Sequence, residues 1–290
     1  MLQQTRAQSV IPYYHRFLER FPTLAALAEA REERVLACWS GLGYYSRARN
    51  LQAAARVVLQ AGKFPADYDA LRALPGVGPY TAAAVASIGF GEPHAAVDGN
   101  VLRVMARVTN DSGDIGSGRT RTRLGEQAQM RLDRRQPGLF NQAMMELGAT
   151  VCLPRAPLCP QCPVAVECQA RLAGSERQLP VKLRKVIPRN IEATLVVIER
   201  RGRVLLQRRD RGGRLAGFWE LPAPDQLPGL RAARAIGTFR HTITNHRFLF
   251  TVLSGSVTRI PKNCQWHALA NLTEIPLSTS ARKALRLAVG

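Results

Sequence analysis

Apolar residues in the first half of the chain recur at the spacing of an α-helix. From residue 3 to about residue 148 they return every three or four positions, as at Val10, Tyr14, Phe17 and Phe21. That period places them on one face of a helix, so this half is predicted to be helical throughout. Short segments containing Gly or Pro separate the helices, at residues 21–22, 41–43, 62–65 and 74–78.

The last hundred residues have a different pattern. Apolar runs at 193–198 and 203–207 lie on either side of a Glu-Arg-Arg-Gly segment, which indicates a β-hairpin. Further runs typical of strands at 248–254 and 265–268, followed by a helix from Ser280, predict a small α+β domain.

Composition supports two domains rather than one. The chain has 290 residues, of which 46% are hydrophobic, enough for two ordinary buried cores. Between the two patterns, the sequence is rich in Arg, Lys and Pro without an apolar period, which is typical of a linker. The predicted organisation is a mostly α N-terminal domain, a cysteine-rich loop, a linker and an α+β domain, at residues 1–150, 151–169, 170–190 and 191–290.

The net charge of +20 points to a polyanionic partner. Residues 191–290 carry +10 and the first 190 residues carry the other +10, so both domains are expected to face the same polyanion. Nucleic acid is favoured over a membrane surface, because no apolar run approaches the ~20 residues of a spanning helix. The first residues also lack the charged-then-apolar pattern of a signal peptide, so a cytoplasmic location is expected.

Four of the six cysteines form a cluster with the spacing Cys152-x6-Cys159-x2-Cys162-x5-Cys168. Thiolates are soft metal ligands, and cysteines crowded in this way indicate a metal site rather than a disulfide framework. Both a tetrahedral zinc ion and a 4Fe–4S cluster take four such ligands, so the spacing alone leaves the two open.

Two further segments are candidates for chemistry. In Leu-Pro-Gly-Val-Gly at residues 74–78, Gly76 and Gly78 would let backbone N–H groups at a helix start approach a phosphate, although such a turn also simply connects helices. In Val-Asp-Gly-Asn-Val-x-Arg at residues 97–103, Asp98 precedes a helix. An aspartate in that place is most often only an N-cap, and capping is compatible with a catalytic role.

These motifs together resemble the MutY-type adenine DNA glycosylases of the helix-hairpin-helix superfamily, which also contains endonuclease III. The resemblance covers nearly all of residues 1–170 and includes Met-Leu-Gln-Gln-Thr at 1–5, Trp-Ser-Gly-Leu-Gly-Tyr-Tyr-Ser-Arg at 39–47 and Phe-Asn-Gln-Ala-Met-Met-Glu-Leu-Gly at 140–148. It implies a helix-hairpin-helix glycosylase domain with a 4Fe–4S cluster on the four cysteines. It also implies duplex DNA carrying 8-oxoguanine opposite adenine as the partner, bound by a monomer.

The resemblance also implies roles for individual residues. Asp98 faces the flipped nucleotide and stabilises an oxocarbenium-like sugar, with Asn100 in the same motif. Endonuclease III-like lyases carry a lysine nucleophile where this chain has Tyr80, which favours a monofunctional glycosylase. Gln4 and Tyr44 match residues that wedge into the duplex, although core packing or a solvated position would also explain them. Arg155 is expected to meet phosphate.

The C-terminal part resembles the Nudix-like domain of the same family, which contacts 8-oxoguanine. Gly-Phe-Trp-Glu-Leu-Pro at 217–222 and Phe-Arg-His-Thr at 239–242 carry this resemblance, whereas the Arg-Glu-x-x-Glu-Glu run of active Nudix hydrolases is missing. The family's Phe-Ser-His triplet is replaced by Ile-Thr-Asn at 243–245, followed by His246. Thr244, Asn245 and His246 are therefore the candidate lesion-recognition residues.

One further departure lies at the start of the sequence. The family's catalytic glutamate, the general acid, stands two residues before its Met-Leu-Gln-Gln-Thr segment, and here that segment begins at Met1. A misplaced start or a fragment is favoured, and the chain as written is expected to bind lesion DNA but to excise adenine barely or not at all. Three functions stay open: an adenine glycosylase, an endonuclease III-like pyrimidine glycosylase and lyase, and a non-catalytic lesion-binding protein.

Overall fold

The computed structural model describes residues 1–2, 5, 7–183, 187–210, 212–213 and 215–289. They form two compact units, one made of Met1–Gly62 together with Val186–Gly290 and the other of Lys63–Lys185. Within the described part of the chain, no helix has both the length and the apolar character needed to cross a bilayer.

The first unit begins with four helices, α1 (Ala7–Arg20), α2 (Leu24–Glu29), α3 (Glu32–Trp39) and α4 (Ser46–Ala61). The Thr23 side chain accepts a hydrogen bond from the Ala26 N–H and caps α2, and Gly62, with φ 68°, ends α4 in the left-handed conformation. The apolar faces of these helices meet in one core, in which Trp39 is 1% exposed. Phe218, from the C-terminal part of the chain, belongs to this same core.

The second unit is helical and runs from α5 to α10. Its helices are α5 (Tyr68–Arg72), α6 (Pro79–Phe90), α7 (Gly99–Val108), α8 (Gly118–Met130), α9 (Pro137–Glu146) and α10 (Gln169–Leu172). A π-helical turn at Leu147–Val151 and a 3₁₀ turn at Cys159–Gln161 lie between α9 and α10. One core of this unit packs the apolar side of α7 against α8, around Met105 and Leu124.

The C-terminal part of the first unit consists of two small sheets and a helix. Its elements are β1 (Arg189–Val197), β2 (Glu199–Arg200), β3 (Arg203–Arg208), β4 (Trp219–Glu220), β5 (Leu230–Ile243), β6 (His246–Val257), β7 (Cys264–Ala268) and α11 (Thr279–Val289). In one sheet β6 lies between β1, parallel to it, and β5, antiparallel to it; in the other, β3 pairs with β2, β4 and β7. Helix α11 contributes Ala281, Ala284 and Leu285 to the core shared with these strands.

The predicted fold class is confirmed: a helical N-terminal part is followed by an α+β part. The strands near 248 and 265 and the last helix are present. The predicted hairpin is present only in part, because the apolar run at 193–198 lies mostly in β1, which pairs with β6, and the hairpin to β3 is formed by the short β2. Strand β5 was not predicted over its length, because its first half, Leu-Arg-Ala-Ala-Arg-Ala, consists of residues that favour helices. Between β4 and β5 the described residues contain only a 3₁₀ turn at Pro224–Gln226.

The predicted domain boundaries stay predictions, since the two units group the chain differently. Residues 170–183, assigned to a linker by composition, begin with α10 and include buried Leu179. The Leu179 carbonyl accepts a hydrogen bond from Arg107 Nε at 2.9 Å. This stretch therefore packs within the second unit instead of extending into solvent.

Candidate active site

Asp98 stands at the N-terminus of α7 with its carboxylate held by the helix. Its Oδ1 accepts hydrogen bonds from the backbone N–H groups of Asn100 and Val101, both at 2.8 Å. Its Oδ2 accepts one from Asn100 Nδ2 at 3.3 Å. Asp98 is thus an N-cap, and the capping bonds fix the orientation of the carboxylate while it remains only half-buried.

The extended segment that leads to Asp98 is held by polar side chains of α8 and α9. Asn141, on α9, donates to the His94 carbonyl and accepts from the Ala96 N–H, at 2.8 and 2.9 Å. Gln129, on α8, accepts from the Ala95 N–H at 2.8 Å. These bonds satisfy backbone groups that no helix or sheet pairs, so the position of Asp98 is determined from both sides.

Tyr80 lies near the start of α6, close enough to Asp98 for the two groups to interact electrostatically. Burial is the main cause that raises the pKa of Tyr80, and the negative charge of Asp98 raises it further. The Tyr80 hydroxyl donates to Met145 Sδ at 3.1 Å. The phenol therefore stays protonated, as a neutral donor beside the carboxylate.

Arg103 connects the Asp98 motif to the cysteine loop. From α7 its guanidinium donates to Asn100 Oδ1 at 3.0 Å, to the Gly148 carbonyl at 2.6 Å and to the Cys152 carbonyl at 2.9 Å. Only 8% of Arg103 is exposed. A continuous series of hydrogen bonds thus runs from Asp98 through Asn100 and Arg103 to the first cysteine.

One turn further along α7, Arg107 reaches into the cysteine loop itself. It is 2% exposed and donates to Cys152 Sγ at 3.2 Å and to the Leu153 carbonyl at 2.8 Å. A guanidinium against sulfur stabilises the thiolate form that a metal requires. Arg107 therefore gives the loop a buried positive charge that matches anionic sulfur ligands.

The four cysteines of the motif surround one small cavity. Cys152, Cys159, Cys162 and Cys168 all line it, together with Arg107 and Ala165. Over the described ranges, no three His, Cys, Asp or Glu side chains converge closely enough to hold a single metal ion. Four cysteine sulfurs around one cavity are the donor set expected of a group bound by four thiolates. Burial is the main cause that raises the pKa of Cys159, and the charge of Glu176 adds to it.

The predicted helix-hairpin-helix segment forms the turn between α5 and α6. Gly76 has φ 74°, a left-handed conformation that side chains disfavour, and Gly78 is the residue that precedes α6. A Cβ added at Gly78 would point into open space. The start of α6 is therefore accessible from outside, as phosphate binding requires. Arg155 is exposed in the cysteine loop of the same unit.

The remaining predicted site residues belong to the first unit. Tyr44 is 49% exposed, with φ 48°, in the loop between α3 and α4. Thr244 and Asn245 form the two-residue turn of the hairpin between β5 and β6, and His246 begins β6. Gln4 lies outside the described residues. The structure thus brings Asp98, Asn100, Tyr80 and the four cysteines into one connected region of the second unit.

The sequence did not indicate that Arg103 and Arg107 link the Asp98 motif and α7 to the cysteine loop by hydrogen bonds. Their signal was present: two arginines four positions apart on a helix whose other residues are mostly apolar. Such a pair is ordinarily exposed, because arginine is almost never fully buried without partners. Only the bend of the cysteine loop back onto α7 supplies these partners, and this is not visible in local sequence.

Comparisons with known families match both halves of the chain. Residues 1–129 match the model described as HhH-GPD superfamily base excision DNA repair protein, and residues 193–287 match the model described as NUDIX domain. The solved structure of a thermostable thymine-DNA glycosylase is similar over 59% of this chain and 80% of that chain, with 28% identity and a TM-score of 0.52.

Curated relatives extend the similarity over the whole length. The chain is 34% identical to a human protein named adenine DNA glycosylase, over 100% of this chain and 67% of the human protein. It is 34% identical to the adenine DNA glycosylase of Mus musculus, over 99% of this chain and 70% of the mouse protein.

Proposed function

The chain belongs to the family of adenine DNA glycosylases, and on that premise we propose that it hydrolyses the N-glycosidic bond of adenine mispaired with 8-oxoguanine or guanine in duplex DNA. One structural observation supports this reaction. Asp98 presents a carboxylate of fixed orientation at the start of α7, half-exposed and beside a tyrosine instead of a lysine.

Asp98 acts on the sugar. As the base departs, positive charge develops on the deoxyribose, and a carboxylate held in place beforehand stabilises that charge without reorganising. Asn100 holds Oδ2 of this carboxylate, and Arg103 holds the Asn100 side chain. These residues position Asp98 and do not themselves transfer a proton.

The tyrosine at position 80 favours a mechanism in which water, rather than an amine of the protein, captures the sugar. A lyase needs an unprotonated amine to form a Schiff base, whereas the neutral phenol of Tyr80 forms none. Its hydroxyl and its ring border the region next to Asp98, where they orient the nucleotide. The product is accordingly an abasic site in an uncut strand.

Several groups are proposed to bind the DNA backbone. The N–H groups at Gly76 and Gly78, at the start of α6, meet phosphate without reading sequence, and the exposed guanidinium of Arg155 makes a second contact of this kind. Tyr44 and Gln4 are assigned to the duplex as wedges, since an inserted side chain replaces part of the stacking lost by the extruded base.

Lesion recognition is assigned to the tip of the β5–β6 hairpin. Thr244 and Asn245 form its two-residue turn, and the Thr244 hydroxyl lies 3.3 Å from Asn245 Oδ1. Two basic residues, Arg240 and Arg247, are exposed on the strands beside the tip. A polar turn with basic strands on either side suits contact with an oxidised purine that adjoins a phosphate.

The four cysteines are proposed to bind a 4Fe–4S cluster. A bound cluster would cross-link the loop through the four cysteines, and Arg107 would offset part of its negative charge. The protein is expected to contain about four iron and four sulfide per chain, and zinc without visible absorption would refute this. Cys162→Ser is expected to lower the iron content and, because the loop then loosens, also the affinity for undamaged duplex through Arg155.

The proposal implies a monomer that works at DNA in the cytoplasm. The monomer is tested by sedimentation of the protein alone and with one lesion duplex. A stoichiometry of two chains per duplex would contradict it.

The function is tested by single-turnover release of adenine from duplexes carrying 8-oxoguanine or guanine opposite adenine, with this chain and with a version extended before Met1 to restore the family's glutamate. Asp98→Asn keeps the size of the side chain but removes its charge, and is expected to slow release by at least about 10²-fold. Asp69→Asn, an acidic residue on α5, is the matched control and is expected to leave the rate unchanged.

Two outcomes would contradict the proposal. Release that is unaffected by Asp98→Asn would show that Asp98 is not the stabilising carboxylate. Selective binding of lesion duplex without any release of adenine would indicate a lesion-binding protein. Strand cleavage trapped by borohydride would instead indicate a lyase.

A further inference from the structure

The loop that carries Tyr44 has an unusual backbone. We call residues 41–45 the wedge loop; in it Gly41, Gly43 and Tyr44 have φ values of 112°, 73° and 48°. A non-glycine residue rarely adopts a positive φ, and it persists only where surrounding contacts enforce it. The contacts of this loop therefore determine where the half-exposed Tyr44 ring points.

The first set of contacts comes from the neighbouring helices. Trp39 Nε1 donates to the Gly43 carbonyl at 3.3 Å, and Arg47 donates to the same carbonyl at 3.2 Å. The Arg47 guanidinium also lies 5.5 Å from the centre of the Tyr44 ring. A Cβ at Gly41 would come within 2.2 Å of the Tyr13 hydroxyl, so the loop passes close to α1.

A second set of contacts comes from the C-terminal part of the same unit and is centred on Tyr45. The ring of Phe218 lies 4.1 Å from the ring of Tyr45, centre to centre, and Phe218 is completely buried. Burial raises the pKa of the Tyr45 phenol, and Thr279, at the start of α11, and the backbone of Gly41 are close enough to oppose the increase. The ring contact with Phe218 thus joins the last residue of the wedge loop to the C-terminal part.

Two more hydrogen bonds flank the loop. Before it, the Ser40 hydroxyl donates to the Leu277 carbonyl. After it, Arg49 donates to the Ala216 carbonyl. The residues on both sides of Tyr44 are therefore attached to segments that lie more than 160 positions later in the chain.

We infer that the C-terminal part positions the wedge loop, with Phe218 as the positioning residue that sets where Tyr44 meets DNA. This inference rests on the proposed function and adds a role for the C-terminal part other than contact with the lesion. Extruding a base loses stacking energy, and a wedge offsets this loss only where it is already in place. A loop with three positive φ values is held in that place by packing from both sides.

The test is a double-mutant cycle on Tyr44 and Phe218 in the full chain, read as the affinity for a duplex with 8-oxoguanine opposite adenine. Tyr44→Ala removes the stacking ring and is expected to weaken binding about tenfold. Phe218→Ala is expected to weaken binding on the order of fivefold in the presence of Tyr44. In the Tyr44→Ala background, Phe218→Ala is expected to add almost nothing.

A 2-aminopurine base next to the lesion gives an independent readout, because its fluorescence reports stacking. Both single variants are expected to change it in the same direction, and Phe218→Leu, which refills the space, is expected to restore most of the signal. Arg20→Ala is the matched control. It removes the exposed Arg20–Glu274 pair between the same two parts of the unit, away from the wedge loop, and is expected to change neither readout.

Independent effects of the two substitutions, whose fold-changes simply multiply, would overturn the inference while leaving the proposed function intact. Equal binding of lesion and undamaged duplex by the unaltered chain would instead refute the proposed specificity, and the cycle is then read on undamaged duplex. Should Phe218→Ala unfold, Ser40→Ala, which removes the hydrogen bond from the Ser40 hydroxyl to the Leu277 carbonyl, takes its place in the cycle. The same loss of its effect in the Tyr44→Ala background is expected.

Discussion

Gly148 lies where any side chain would press on the residue that holds Asp98. A Cβ at this position would come within 2.8 Å of the Asn100 Cβ, an atom that cannot rotate away. Gly148→Ala is therefore expected to destabilise the protein by about 1–3 kcal/mol through overpacking. Because Asn100 is displaced, adenine release is expected to slow as well.

Gly125→Ala is the control for this prediction. Gly125 is helical and a Cβ there meets nothing within 4 Å, so alanine is expected to stabilise α8 by up to about 1 kcal/mol. Urea unfolding and single-turnover release are measured for both variants. Equal behaviour of the two would mean that the close approach at Gly148 has no functional importance.

Burial of the Glu220 carboxyl group makes the stability of the protein depend on pH. It is 3% exposed and accepts hydrogen bonds from Ser278 at 2.7 Å and from Ser280 at 3.1 Å. Burial raises the pKa of Glu220 above its ordinary value, although these bonds and the charge of Arg209 oppose the increase. The unfolded chain therefore loses this proton at a lower pH than the folded protein does.

The sign of the effect follows from that order. As the pH rises from the ordinary carboxyl pKa of about 4.3 towards the raised pKa, the unfolded state is favoured and stability falls. Glu220→Gln removes the titration, so the variant is expected to gain stability relative to the original chain as the pH rises. Urea unfolding of both proteins between pH 5 and 8 measures this difference, and a difference that does not vary with pH would contradict it.

At the scale of elements, the turn of the β5–β6 hairpin contains a residue type that its backbone conformation disfavours. Its two-residue turn has a positive φ of 54° at Thr244, the first of the two turn residues. Glycine is the favoured residue there in a type II′ turn, whereas a β-branched side chain is strained. The threonine therefore persists at a cost in stability.

Thr244→Gly is expected to raise the stability of the protein by a few tenths to about 1 kcal/mol and at the same time to lower its preference for 8-oxoguanine, because the hydroxyl is lost. Thermal unfolding and competitive binding to lesion and undamaged duplex measure the two effects. A variant that is stabilised and fully selective would show that the Thr244 hydroxyl does not contact the lesion.

Elements with a strong periodic pattern were predictable from the sequence, and others were not. The helices α1, α4 and α11 and the strand β6 bury one face each, so their periods are visible. The first half of β5 is exposed at an edge and contains Arg and Ala, so neither propensity nor period indicated a strand. Asp98, Tyr80 and the cysteines became candidates through motifs, whereas the contacts of Arg103, Arg107 and Phe218 are made with partners far away in the chain.

At the scale of the whole molecule, the charge of +20 predicts binding that depends steeply on salt. Each phosphate neutralised by Lys or Arg releases counterions, so affinity for undamaged duplex is expected to fall on the order of 10³-fold between ~50 and ~200 mM salt. Arg155→Gln is expected to weaken binding to all duplexes alike and to reduce the slope of log affinity against log salt by about 1. An unchanged slope would remove Arg155 from the DNA contacts.

The order in which the two units can be completed on the ribosome follows from the segments of the chain that form them. The second unit is one continuous stretch, Lys63–Lys185, whereas the core of α1 to α4 includes Phe218, which emerges about 150 residues after α4. At ~5–20 residues per second, the first helices remain for roughly 8–30 s without the side chain that completes their core. During synthesis the middle of this chain is therefore able to fold before the core at its beginning is complete.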